Sequence, residues 1–357
     1  MTGFSREDGE LACDGVALSA IAREVGTPAY VYSGALIAEN YRRFDDAFAD
    51  VRHLVCYAAK ANSNLALLRR LAELGAGADV VSAGELRAVL GSGFPADRVV
   101  FSGVGKTDEE IRFAVENELL AINAESEREI EKIEAAAAAG VTARVALRVN
   151  PDIDARSHPY ISTGRRHNKF GVEIGRAREI FSRARRLEHV RMTGVQAHIG
   201  SQILDPEPLA QSARDLAGLA VALASDGHPI ETVDAGGGIG IAGEGPEALT
   251  PERYAAAVLP HFRDLAFKIL IEPGRAIVGP AGALLTKVLY VKENSGRLFV
   301  ITDAGMNDLL RPALYGAIHS VESVSDGRTG RDRVTADVVG PICETSDFFL
   351  RDSVMDL

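Results

Sequence analysis

Apolar positions along this chain change period repeatedly. Short runs rich in β-branched and aliphatic residues alternate with longer Ala/Leu/Glu/Arg segments in which apolar positions recur at helical spacing, and that alternation predicts parallel βα units. The predicted strands are His53 to Ala59, Ala78 to Ser82, Arg98 to Ser102, Leu119 to Asn123, Arg144 to Asn150, Arg191 to His198, Thr232 to Ala235 and Lys268 to Glu272. Eight strands, each followed by a helix or loop, match an α/β fold of the (β/α)8 TIM-barrel type. Between them, Asn62 is placed to cap a helix over Ser63 to Leu74 that Gly75 ends, and Ser126 to cap one running through the alanine run to Gly140. Beyond Gly279 the texture changes. Leu284 to Val291, Leu298 to Thr302 and Val334 to Val339 alternate or are β-branched, so a second, mainly β domain is expected from about residue 280. An open doubly wound sheet is the competing topology, but its glycine-rich turn belongs after the first strand. Here Ala58-Ala59-Lys60-Ala61-Asn62 follows the first strand and the glycine cluster follows the seventh, which favours the barrel.

Composition narrows the class of function. The 357 residues are 46% hydrophobic and 25% charged, enough for a dry core in two domains. Lys and Arg number 39 against 50 Asp and Glu, a net charge of -11 with no basic stripe, so nucleic acid and anionic membrane surfaces are poor partners. Cys13, Cys56 and Cys343 have no CxxC spacing, which suggests neither a disulfide framework nor a zinc site and fits a reducing cytoplasm. Met1 to Gly15 lacks an apolar targeting core, and the apolar stretch near Leu216 to Ala224 is too short to span a bilayer.

In such a barrel the chemistry lies at the C-terminal ends of the strands. Lys60 follows strand one, Asp79 and Ser82 lie on strand two, Arg148 and Asn150 end strand five, and His198 ends strand six. Gly236-Gly237-Gly238-Ile239-Gly240 follows strand seven, and Glu272-Pro273-Gly274-Arg275 closes strand eight. Each has an ordinary reading beside a functional one. Lys60 is either a solvated lysine or an amine for Schiff-base chemistry. The glycine run is either a turn or a place where backbone N–H groups crowd an anion, with Ser201 adding a hydroxyl. His198 is either a core histidine or a flat ring stacked on an aromatic cofactor, and Glu272 either pairs with Arg275 or holds a pyridine nitrogen protonated. Arg311 and Tyr315 are surface groups or a carboxylate clamp. Cys343 is an ordinary buried thiol beside a solvated Glu344, within a stretch that concentrates polar and reactive types between apolar flanks.

Taken in order, these motifs are not independent. Tyr57-Ala58-Ala59-Lys60-Ala61-Asn62, His198-Ile199-Gly200-Ser201-Gln202, Gly236 to Gly240, Glu272 to Arg275, Asp303-Ala304-Gly305-Met306-Asn307-Asp308 with Arg311-Pro312-Ala313-Leu314-Tyr315, and Cys343-Glu344 follow the order of diaminopimelate decarboxylases. The chain resembles that family from about Gly26 to Asp347, within the wider alanine-racemase-like group that includes ornithine and arginine decarboxylases. Thr163-Gly164 and Asn168-Lys169-Phe170-Gly171 look particularly like the diaminopimelate branch.

The resemblance implies a pyridoxal-phosphate barrel over residues 30–280 and a β domain from residues 1–29 with 281–357. Relatives run on past the Cys-Glu motif through further strands and a Gly-Ala-Tyr stretch, so it also implies that this β domain is incomplete at its C-terminal end. The implied activity is decarboxylation of meso-2,6-diaminopimelate to L-lysine with pyridoxal 5′-phosphate, by a cytoplasmic homodimer whose active sites are shared between subunits. Lys60 would carry the cofactor as a Schiff base, His198 would face its ring, and Glu272 would meet the pyridine nitrogen. Ser201, Gly236, Gly237, Gly238, Gly274 and Arg275 would hold the phosphate, with Asp79 and Arg148 supporting. Arg275, Arg311 and Tyr315 would grip the distal carboxylate, Glu344 the distal amine, and Cys343 would return a proton to the carbon that loses carbon dioxide. The alternatives left open are a decarboxylase of ornithine, arginine or a carboxylated polyamine, and a truncated non-catalytic relative. Two arginines and a tyrosine suit the diacid better than an amine.

Overall fold

The computed structural model describes residues 3–137, 140–155, 163–164, 168–242, 247–325 and 333–356. The chain divides into two compact units: Met1–Leu36, Ala242–Glu247 and Ala281–Leu357 form one, and Ile37–Ile241 with Ala248–Pro280 form the other.

From the N-terminus run β1 (Phe4–Glu7), β2 (Glu10–Cys13), β3 (Val16–Ala17), α1 (Leu18–Val25), β4 (Ala29–Tyr32) and α2 (Gly34–Ala47). The larger unit then alternates strand and helix. Its elements are β5 (His53–Ala58), α3 (Leu65–Glu73), β6 (Gly77–Val80), α4 (Ala83–Gly91), β7 (Val99–Phe101), α5 (Asp108–Glu116), β8 (Ala121–Ala124), α6 (Glu127–Ala137) and β9 (Ala143–Asn150). A two-residue β10 (Val172–Glu173) pairs with β9, and α7 (Ala177–Ala184), β11 (Val190–Gln196), α8 (Glu207–Ser225), β12 (Thr232–Asp234), α9 (Pro251–Val258), β13 (Lys268–Ile271) and α10 (Arg275–Val278) complete it.

Eight of these strands, β5 to β9 and β11 to β13, form a closed parallel barrel, because β13 pairs back onto β5 and β8 onto β9. They are the eight strands expected from the apolar runs. Leu54, Cys56, Val100, Ala121, Ala146 and Leu270, drawn from five strands, pack into one buried cluster, the filled interior that such a barrel requires. Local capping chemistry starts the helices. Thr107 and Glu110 form a reciprocal capping box on α5, the Ser126 hydroxyl accepts from Glu129 N at the start of α6, and Thr250 caps α9 ahead of Pro251. Residues 138–139 of the alanine run lie outside the described residues.

One helix start is corrected. Ala59–Ala61 makes a single 3-10 turn and Asn62 is extended, so α3 begins only at Leu65 and its cap is Asn64, whose side chain accepts from Ala66 N; Asn62 Oδ1 instead accepts from Asn64 N. Gly75, at φ +85°, ends the helix as expected.

The other unit is mainly β. β1, β2 and β3 form a small antiparallel sheet, and β4 pairs with β14 (Gly282–Leu285). β15 (Val288–Asn294), β16 (Arg297–Thr302), β17 (Arg333–Val339) and β18 (Phe348–Asp356) form a four-stranded sheet, with the short α11 (Arg311–Tyr315) between β16 and β17. The run expected over Leu284 to Val291 is therefore two strands with different partners, parted at Thr286-Lys287. Among the described residues no helix is long and apolar enough to cross a membrane, and no group of acidic, histidine or cysteine side chains could hold a metal ion.

Candidate active site

The barrel's strand ends gather the polar residues of this unit. β5 finishes at Ala58 and the 3-10 turn behind it presents Lys60, whose Nζ donates to Asp79 Oδ2 at 2.8 Å. Asp79 stands opposite Ala58 in the β5–β6 register and is completely buried, with no hydrogen-bond partner for Oδ1 among the described residues. Lys60 keeps 45% of its side-chain surface accessible. Burial of its ammonium pulls the pKa down, but attraction by Asp79 and then by Glu272 outweighs this and leaves it above the ordinary lysine value. Ser82 lies not on strand two but just beyond it, as the cap of α4.

Arg148, inside β9, is buried and paired. Its Nη1 donates to Glu125 Oε1 at 2.7 Å, its guanidinium lies 4.7 Å from the Phe170 ring centroid, and Glu125 Oε2 accepts from Gly171 N at 2.6 Å. Glu125 thus ties strand five to the Asn168–Gly171 segment. Thr163 docks nearby, with Oγ1 donating to His198 O at 2.7 Å. His198 sits two residues past β11. Burial, with the charges of Lys60 and Arg148, pushes its imidazole pKa well down, so the ring is neutral, and Nδ1 accepts from Gly237 N at 3.2 Å.

The glycine run after β12 is demanded by backbone packing. A Cβ on Gly236 would overlap Ala197 O, one on Gly237 would overlap Glu272 O, and one on Gly238 would overlap Gly200 O. The Gly236 amide donates to Asp234 Oδ1 at 2.9 Å and that of Gly240 to Ile203 O at 2.9 Å. The run therefore draws the ends of strands six, seven and eight together. It also allows Arg275 Nη2 to reach Ser201 Oγ at 3.3 Å, two donor-bearing side chains converging above the strand ends. Gly274 leaves no room either, since a Cβ there would lie 3.0 Å from the Cβ atoms of both Ala58 and Ala61.

Glu272 follows β13 and is 3% exposed. Gln196 Nε2 approaches its two oxygens at 3.4 and 3.3 Å, and among the described residues no cation pairs with it. Burial first, then Asp234 and Asp79, push its carboxyl pKa well up. Asp234 is raised mainly by burial as well. The site is thus short of positive charge at its base and provides hydroxyl and guanidinium donors at its edge. A lysine amine, a buried acid awaiting a cationic N–H and a Ser–Arg pair for an anion fit a pyridoxal-type group.

Lys60, Asp79, Arg148, His198, Ser201, Gly236, Gly237, Gly238, Glu272, Gly274 and Arg275 all belong to this one unit. Arg311, Tyr315, Cys343 and Glu344 belong to the other. There Arg311 stacks on Tyr315 at 5.3 Å, and Cys343 is not the buried thiol of its ordinary reading: with Glu344 it is exposed on a loop held by Asp347, which accepts from Met306 N at 2.6 Å and Ile342 N at 2.7 Å. Glu125, Gln196 and Asp234 escaped the sequence reading. Their one signal there was a polar residue at or just past the end of an apolar strand.

Comparisons with known proteins agree with this geometry. The family described as pyridoxal-dependent decarboxylase, pyridoxal binding domain, matches residues 35–279. Diaminopimelate decarboxylase of Pseudomonas aeruginosa is 48% identical over 355 residues, covering 99% of this chain and 85% of that protein. The crystal structure of diaminopimelate decarboxylase from Helicobacter pylori complexed with L-lysine superposes with a TM-score of 0.91 at 42% identity, over 95% of this chain and 85% of that one. That of M. jannaschii, in co-complex with L-lysine, gives 0.93 at 37%, over 99% and 85%. With the barrel, the lysine after its first strand and this identity over nearly the whole chain in agreement, the protein belongs to the pyridoxal-dependent decarboxylases and, within them, to the diaminopimelate decarboxylase family.

Proposed function

We propose that this protein removes the α-carboxylate of meso-2,6-diaminopimelate, yielding L-lysine and carbon dioxide, with pyridoxal 5′-phosphate held in the barrel. The observation that carries the reading is the Lys60–Asp79 pair facing a buried Glu272 that no cation among the described residues pairs with. Two relatives whose structures contain L-lysine support the product. When bound, the cofactor supplies an electron sink for the charge left on the carbon that loses its carboxylate.

The chain's own residues do the rest. Lys60 provides the amine that anchors the cofactor, and Asp79 sets its charge and direction. Glu272 would accept from the ring N–H and so keep that nitrogen protonated. His198, neutral and fixed by the Gly237 amide, would face the ring. Ser201 and Arg275 hold the phosphate on a turn that Gly236, Gly237, Gly238 and Gly274 make narrow enough, and Arg148 steadies the wall. Arg275, Arg311 and Tyr315 orient the distal carboxylate, and Glu344 the distal amine, which distinguishes the two chemically similar ends. Cys343 delivers a proton to the decarboxylated carbon. Its exposed loop suits delivery into a neighbouring copy, so the working form is a homodimer with shared sites. Three free cysteines fit the reducing cytoplasm.

Purified protein with pyridoxal 5′-phosphate should develop a long-wave absorption band that Lys60→Ala abolishes, and should release carbon dioxide and lysine from meso-diaminopimelate. A preference for ornithine or arginine over the diacid would refute the substrate, and absence of the band the cofactor.

A further inference from the structure

Two buried carboxyls meet at the base of the barrel mouth with too few donors between them. Asp234 ends β12 and is 1% exposed, and the strand register sets it beside Gln196 of β11 and Leu270 of β13. Its Oδ1 accepts from Gly236 N at 2.9 Å, and Glu272 N donates to Gly236 O at 2.7 Å, so both acids are anchored on the same glycine. Asp234 Oδ2 is buried and among the described residues meets no N–H or O–H donor. The Glu272 carboxyl, anchored on the same glycine, acts on this side chain, as do Asp79 and Lys60. Two carboxyls set together in a dry site favour one proton between them, because two full charges there repel.

We propose that Asp234 is a positioning residue that shares a single proton with Glu272 and carries that proton whenever Glu272 faces a cationic ring N–H. The proton passes from Glu272 to Asp234 along their hydrogen bond, and nothing else is taken up or released. Glu272 is then a carboxylate of fixed direction, donated to by Gln196 and Asp234 from behind and open to the ring nitrogen in front, and no second charge is stranded beside it.

The groups around the pair leave it in this state. Lys60 and Asp79, at the ends of β5 and β6, are bonded to each other, and Arg148 is taken by Glu125. Tyr254 of α9 and Cys56 of β5 are buried beside the acids, and burial with that negative charge pushes both upward, so both stay neutral. Among the described residues the Tyr254 hydroxyl is itself without a hydrogen-bond partner.

The inference rests on the proposed cofactor, so its test carries one readout that needs the cofactor and one that does not. Asp234→Asn offers an N–H to Glu272 and a C=O to Gly236, the same two bonds as a protonated aspartic acid. Titration of the cofactor-stripped protein with pyridoxal 5′-phosphate, followed by absorbance, is expected to give Asp234→Asn a dissociation constant within about threefold of the unaltered protein. Asp234→Ala, which keeps neither bond, is expected to bind at least about tenfold more weakly. The second readout is thermal melting of the cofactor-free proteins. Folding raises the pKa values of the pair, so the stability it contributes is present at low pH and lost as pH rises through the folded values; removing one of the two acids removes part of that loss. The melting temperature of Asp234→Asn relative to the unaltered protein is therefore expected to climb by about 3 °C between pH 5 and pH 9. An Asp234→Asn variant that binds as poorly as Asp234→Ala, or a melting difference equal at the two pH values, overturns the shared proton. Failure of the unaltered protein to bind pyridoxal 5′-phosphate sinks the proposed function instead, and the melts then decide the carboxyl pair alone.

Discussion

Gly237→Ala isolates close backbone approach from backbone strain. Gly236 and Gly238 on either side have φ values of +67° and +98°, where any side chain is strained, but Gly237 has an ordinary φ and only its surroundings forbid a Cβ. The added carbon would fall about an ångström inside the closest approach real Cβ atoms make to another atom, against Glu272 O, with Glu272 C at 2.9 Å. Both obstacles are main chain at a strand end, so no flexible side chain can swing away. The strand ends must part, and the Glu272 N to Gly236 O bond of 2.7 Å is the first to lengthen. Overpacking costs about 1–3 kcal/mol and the weakened hydrogen bond about 1 kcal/mol, together roughly 2–4 kcal/mol. At about 2 °C per kcal/mol for a chain of this size, the melting temperature should fall by about 4–8 °C. The displacement also carries Glu272 and the His198 acceptor away from where a ring would lie. An ångström of misplacement is worth about 100-fold in rate, so pyridoxal phosphate binding and turnover should both collapse. The assay pairs a melting curve with an absorbance titration. Gly105→Ala is the control, since a Cβ there meets nothing within 4 Å. If Gly237→Ala melts and binds like Gly105→Ala, the close-packing account of the glycine run is wrong.

Three further outcomes are expected. Glu125→Ala leaves Arg148 charged and buried without its carboxylate, which should cost about 3–5 kcal/mol and show as a lower urea midpoint with an unchanged slope. His198 resists protonation in the folded state, so stability is lost as pH falls below the free imidazole value near 6.5. The unaltered protein should therefore lose up to about 2 kcal/mol more than His198→Phe between pH 7 and pH 5 in denaturant titrations, and parallel curves would show that the ring protonates freely when folded. Cys343→Ala should lower lysine formation by about 100-fold while the cofactor band persists, and a loss of the band instead would move Cys343 out of the proton-delivery role.

The barrel was legible because parallel strands buried on both faces read as unbroken apolar runs, and all eight could be picked out on that ground. Errors cluster where a polar residue follows such a run. Ser82 looks like a strand residue and caps a helix, while Asn62 looks like a cap and only supports the true cap, Asn64. In the other unit the runs Leu298 to Thr302 and Val334 to Val339 were legible as β16 and β17, whereas β1 to β4 and β18 carried little local signal. β4 pairs with β14 some 250 positions away, and β18 contains Asp352 at φ +50° and register shifts, so no clean alternation survives. Lys60, His198 and Glu272 stood out as candidates from position after a strand combined with family motifs. Glu125, Gln196 and Asp234 were not, because their importance lies in neighbours contributed by other strands.

Charge distribution explains why these hidden residues matter. Asp79, Asp234 and Glu272 crowd the base of the mouth against Lys60, and Arg148 is already held by Glu125. In a medium of low dielectric an unmatched carboxylate there is expensive, and the upward push on Glu272 records that cost. Protonation removes it in the empty barrel, but a ligand that brings a cationic N–H to Glu272 removes it while keeping the carboxylate charged. Past the strand ends the balance reverses, since Ser201 and Arg275 converge as donors and favour negative charge. A ligand with a protonated ring nitrogen at one end and a phosphate at the other satisfies both regions in one orientation and neither in the other. That single orientation is the one in which the proposed residues His198 and Lys60 would face the ring and anchor the group. The acids beneath the glycine turn therefore contribute as much to the direction of binding as the groups that would touch the ligand.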